Sequence, residues 1–168
     1  MNNRHYLHVL VIFTTLITLL GPMVVQADEE IPLSTGQTVY VPAYSHIYSG
    51  DREQPFLLTV TLSIRNCDPH HTMTVTVVDY YETQGRLLKK YQEKPLVIKP
   101  LESLRYVVAQ SDKAGGSGAN FIVEWQADQP VNLPIIETIM IGTQSQQGIS
   151  FTSRGQAITR SRLGAVTK

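Results

Sequence analysis

Four adjacent residues, Gly115-Gly116-Ser117-Gly118, offer the clearest chemistry in this chain, because glycines let backbone N–H groups converge on an anion or a carbonyl oxygen. Asn120 follows directly and could add a side-chain amide. The plainer account of the same stretch is a flexible connection between strands. It is not a phosphate-binding P-loop, since no Lys-Ser or Lys-Thr follows and a strand rather than a helix comes next. Nor does Ser117 sit in a hydrolase nucleophile elbow, because Ala119 stands where that pattern needs glycine.

Gly148 to Gly155 is the second candidate, with Ser150, Thr152, Ser153 and Arg154 supplying hydroxyls and one fixed cation able to grip a carboxylate or phosphate bidentately. Alternation of Ile149 and Phe151 with Ser150 and Thr152 is equally the pattern of a strand with one wet face. Metal ligation is weakly indicated by His70-His71 with Asp68, and by His46. Adjacent imidazoles rarely turn toward one ion, and the remaining ligands of a closed site are missing. Asp79 could titrate unusually if buried among its apolar neighbours, but no acid partner can be placed beside it by spacing. Tyr40, Tyr44 and Tyr48 fall at even offsets, which in extended chain puts them on one face as a tyrosine stripe for a glycan or proline-rich peptide. Packing over the end of the fold is the simpler account of them.

The elements that must position these residues alternate with a period of two. Phe56, Leu58, Val60, Leu62 and Ile64 share one face against Leu57, Thr59, Thr61, Ser63 and Arg65. After Asn66-Cys67-Asp68-Pro69 the pattern resumes with Met73, Val75, Val77, Asp79 and Tyr81, so the two segments are expected to pair through that turn. Gly85 marks a hairpin into Leu87 to Tyr91, Pro95 and Pro100 bracket an edge strand at Leu96 to Ile98, and Trp125 is the first choice for the core centre. With about seven or eight short strands and no helical period, the expected fold is an all-β, antiparallel immunoglobulin- or fibronectin-like β-sandwich.

The N-terminus has the layout of a secretory signal: Arg4 precedes an apolar run from Val9 to Leu20, and Val25-Gln26-Ala27 leads into Asp28-Glu29-Glu30. Gly21-Pro22 cuts that run short of a spanning helix, although an uncleaved anchor remains the alternative. The expected organisation is a signal over 1–27, one domain over 28–155 and a flexible tail over 156–168. Formal charge is balanced over all 168 residues, with 14 basic and 14 acidic, so no net field favours nucleic acid. A single cysteine, Cys67, excludes an internal disulfide and leaves an exported fold to be held by its core.

Three blocks in order, Gly36 to Tyr48 (GQTVYVPAYSHIY), Gly115 to Trp125 (GGSGANFIVEW) and Gly142-Thr143 with Gln147 to Gly155 (QGISFTSRG), resemble a bacterial domain-of-unknown-function family, number 3124. The likeness spans about Gly36 to Gly155 and implies an exported domain with no catalytic residues to carry over. The leading expectation is thus a periplasmic or extracellular module of the cell envelope, non-catalytic, without a cofactor, binding an envelope protein, peptide or glycan or serving structure. The alternatives are an envelope hydrolase or metal-dependent enzyme using His46, His70 or His71 with Asp68, and a module whose edge near Leu96 accepts a partner's strand.

Overall fold

The structure is a computed structural model that describes residues 31–49, 51, 53–144 and 147–160. The signal expected over 1–27 lies outside the described residues. In chain order the strands are β1 (Leu33–Pro42), β2 (His46–Ser49), β3 (Gln54–Leu57), β4 (Thr59–Arg65), β5 (Met73–Tyr81), β6 (Leu87–Lys90), β7 (Leu96–Ile98), β8 (Ser103–Val108), β9 (Asn120–Asn132), β10 (Ile135–Gln144), β11 (Gln147–Arg154) and β12 (Gln156–Arg160). These twelve exceed the seven or eight expected, because short edge pieces and hairpin arms carry little periodicity. The fold is all-β, and the pairings are antiparallel.

One sheet runs β12-β1-β9-β5-β6, with β7 also on β5, and a second runs β11-β10-β4-β8; β2 and β3 form a separate hairpin. A single buried cluster lies between the two sheets, joining Val41, Val75, Phe121 and Trp125 of the first to Leu58, Leu62, Ile64 and Met140 of the second. Each such side chain contributes about 1.5–3 kcal/mol by leaving water, which lets a chain without an internal disulfide hold together. Thr138 is buried among them with its Oγ1 donating to the Pro42 carbonyl at 2.5 Å, so the polar atom is satisfied across the core.

The expected pairing of β4 with β5 does not occur. β4 lies between β10 and β8, whereas β5 lies between β9 and the β6–β7 edge, so residues 66–72 carry the chain from one sheet to the other. The inward face of β5 also changes phase. A register shift between Val75 and Val77 against β9 inserts one residue, so Val78 and Tyr80 turn inward and Asp79 faces out. The proline-bracketed edge is as expected: among the described residues β7 pairs only with β5, and Leu96 and Val97 are exposed while Ile98 is buried. Gln156–Arg160, expected in a tail, form β12 on β1, while 161–168 lie outside the described residues.

Candidate functional site

The Gly-rich connection between β8 and β9 is a sequence of tight turns with its polar backbone already engaged. Asp112 N donates to Ala109 O, Ala114 N to Asp112 Oδ1 and Gly116 N to Lys113 O. Thr83, on the β5–β6 hairpin, then clamps it: its N and Oγ1 both donate to Gly115 O at 3.0 Å, and Gly118 N donates to Thr83 Oγ1 at 3.0 Å. Ser45 N donates to Gly116 O from the other side. Gly116, at φ 76, takes the left-handed conformation that a side chain disfavours. Gly115 is buried against Tyr80 and Ser45, and Asn120 sits within the first sheet between Pro42 and Tyr81. Burial holds the Tyr80 hydroxyl above the ordinary tyrosine range, a shift that the Ser45 hydrogen bond opposes.

Ser150, Thr152 and Arg154 form one exposed file on the outer face of β11. Ser150 stands opposite Ile141, whose β4 partner Thr59 adjoins the Leu58 N to Ser45 O bond, so this end of β11 lies toward the Gly-rich connection. Arg154 is four residues further along, about 13 Å away at the rise of a strand. The two segments therefore do not close on one pocket.

The histidine candidates are also separated. Asp68 Oδ1 accepts from His70 N, His71 N and His71 Nδ1, and its Oδ2 accepts from the backbone N and Nδ2 of Asn132. These bonds, the Asn132 backbone N–H foremost and His70 N–H next, hold the Asp68 carboxyl well below the usual carboxylate range. Both oxygens are thereby committed to fastening the β4–β5 crossover onto the end of β9. Asn66 completes the lock, donating through Nδ2 to His71 O and Lys99 O. His46 adjoins the opposite end of β9, where Ala43 N donates to Ala119 O, and 13 residues of strand intervene. Among the described residues no group of three or more His, Cys, Asp or Glu is placed to share a metal ion.

Tyr40, Tyr44 and Tyr48 make no common stripe: Tyr44 packs edge-on to Phe151 at 5.7 Å, while Tyr48 is exposed beside His46. Cys67 is half-buried, a free thiol whose Sγ lies 3.6 Å from Arg65 O. Among the described residues no helix is long and apolar enough to cross a membrane.

A cleft of about 310 Å³ opens beside β2, lined by His46, Pro55, Leu57, Gln110, Lys113 and Thr143. Three separate connections meet there: the β8–β9 loop brings Gln110 and Lys113, the β2–β3 hairpin brings His46, Pro55 and Leu57, and the end of β10 brings Thr143. Gln110 Nε2 is tied to Leu57 O at 3.3 Å, which leaves its oxygen as an acceptor at the rim. Of these lining residues, His46 is the one whose type marks it in the sequence as a candidate ligand. Lys113 falls just before the Gly-rich stretch and carries no spacing signal, and Thr143 stands in the third block that resembles the family, with no chemical pattern of its own.

No curated protein matches the chain. A solved structure titled "Crystal Structure of Thermotoga maritima 1070" overlaps 74% of this chain and 97% of that one, at 10% identity and a TM-score of 0.45. The family described as "Protein of unknown function (DUF3124)" matches residues 36–158, from Gly36, where β1 resumes its pairing with β9 after a register shift, into the middle of β12, and the chain belongs to that family.

Proposed function

We propose that this protein is a non-catalytic binding module of the bacterial cell envelope, built on an immunoglobulin- or fibronectin-like sandwich and exported by its N-terminal signal. The layout from Arg4 to Ala27 supports export, and the two stacked antiparallel sheets support the sandwich reading. The observation that carries the binding role is the convergence of Lys113, Thr143 and His46 from separate connections on one cleft. At about 310 Å³ it stands at the small end of ligand sites. Its chemistry selects an organic carboxylate: an ammonium and a hydroxyl face the charged end, and Pro55 and Leu57 wall the apolar body. The Gly-rich turn acts behind this site as a frame, since its hydrogen bonds hold Lys113 and Ser45 in place.

The test is calorimetric titration of the full chain with straight-chain carboxylates from propionate to hexanoate, beside Lys113→Met. Binding that rises with chain length and is lost in the variant is the expected result. Heat independent of Lys113, or none for any member of the series, removes this reading.

A further inference from the structure

The outer face of the β11-β10-β4-β8 sheet carries a row of charge that the balanced overall composition conceals. Arg105 stands opposite Ser63, Ser63 opposite Glu137, and Glu137 opposite Arg154. Arg65 approaches the same carboxylate, Nε to Oε1 at 4.0 Å. The outward positions of these four strands thus hold three arginines and one glutamate, a surplus of two positive charges on a chain of formal net charge zero. Glu137 is the sheltered member, its side chain 18% exposed against 49% for Arg65. Among the described residues no carboxylate lies within 4.0 Å of a nitrogen of Arg105 or Arg154.

Beside the charged row runs one in which aliphatic side chains alternate with threonines, Val107, Thr61, Ile139 and Thr152 in cross-strand register, with Ile141 beyond it. Val107 is 48% and Ile141 52% exposed, and Ile139 between them is half-buried, while Ser63 in the charged row is sheltered among its neighbours. A sheet face of a single domain is stable when its outer side is polar; aliphatic side chains left among arginines are surface that gains by being covered.

We infer that the outer face of this sheet, centred on Arg105, Arg154 and Ile139, docks an extended acidic segment of a partner polypeptide. Charge complementarity names the sign of the partner. The sheet spacing names its form: Arg105 and Arg154 are three strands apart, about 14 Å, and alternate same-face side chains at i and i+4 of an extended chain span about 13 Å. A segment crossing the strands near a right angle, as orthogonal sheet packings do, sets two carboxylates on the two arginines with a neutral residue over Glu137. Flat aliphatic side chains rather than aromatic rings favour a polypeptide over a sugar chain. The surface is distinct from the Lys113 cleft and does not depend on it.

The probe is a fluorescent synthetic peptide repeating Glu-Val-Thr-Val, titrated with the full chain and followed by anisotropy, with heparin as competitor and sedimentation as a check on self-association. Binding that weakens with salt, and about tenfold in Arg105→Glu or Arg154→Glu, is the expected result, matching the loss of one charged hydrogen-bonded contact. Glu137→Gln should tighten it, a gain that a misfolded variant could not give, and Lys113→Met should leave it unchanged. Affinity unchanged from the parent in both arginine variants, capture of heparin without the peptide, or self-association abolished by Arg154→Glu would each overturn the assignment.

Discussion

The hydroxyl of Tyr80 and the Oγ of Ser45 lie 2.8 Å apart directly beneath the Gly-rich turn. A Cβ on Gly115 would fall 1.9 Å from the Tyr80 oxygen and 2.8 Å from Ser45 Oγ. The position has an ordinary φ of −68, so the glycine is there for space and not for conformation. Gly115→Ala is expected to destabilise the fold by about 1–3 kcal/mol through overpacking. Tyr80→Phe in the same chain removes the colliding oxygen and should recover part of that loss. Urea unfolding of the single and double variants gives the coupling, and strict additivity would contradict the close approach.

Asp68 makes a prediction about acid. Its folded carboxyl titrates below the ordinary range because Asn132 and His70 donate to it, so its stabilising contribution is complete above about pH 5. The contribution is lost as pH falls through the ordinary carboxylate range and on toward the lowered folded value. Asp68→Asn should therefore melt below the parent at neutral pH, and the gap should narrow as the parent is acidified toward about pH 3. A gap constant across that window would mean that the carboxylate charge is not what fastens the β4–β5 crossover to Asn132.

How far the sequence could be read depended on the ladder staying regular. β4 pairs without interruption, and Phe56, Leu58, Val60, Leu62 and Ile64 are buried as their alternation requires. β5 obeys the same rule only to Val75, where the register shift reverses the faces; nothing in a run of Thr and Val marks where an extra residue will be absorbed. The partner of β4 differs from the expected one because a short polar stretch containing Pro69 has the composition of a hairpin turn. The hydrogen bonds that make it a crossover come from Asn132, far along the chain. The Lys113 cleft was hidden for the same reason, since its members meet only when three connections are folded together.

The single tryptophan gives a direct optical check on the core. Trp125 is 2% exposed, so its emission should be blue-shifted, weakly quenched by acrylamide, and should move red in one transition on unfolding. Its indole Nε1 has no hydrogen-bond partner among the described residues, a deficit worth about 1–3 kcal/mol. Trp125→Phe removes that orphan donor along with some packing, so it should cost clearly less than the about 3–5 kcal/mol of Trp125→Ala. Equal losses in the two variants would show the indole nitrogen to be satisfied.

Gly155 turns the chain from β11 in one sheet to β12 in the other, with its N–H donating to Ile136 O at 2.8 Å. A Cβ there would meet Val39 Cγ1 at 2.6 Å and the Ile136 carbonyl oxygen at 3.0 Å, and the carbonyl belongs to a paired strand that cannot yield cheaply. Gly155→Ala should therefore displace β12 from β1 before it affects the rest of the core. Hydrogen exchange reads this directly: the amides of residues 156–158 should lose protection while those of β4 and β9 keep theirs, and overall stability should fall by about 1–3 kcal/mol. Uniform loss across both sheets would mean that the corner is part of the cooperative core. Unchanged protection would mean that the crossover has room for a methyl group, and that β12 is held by its ladder to β1 alone.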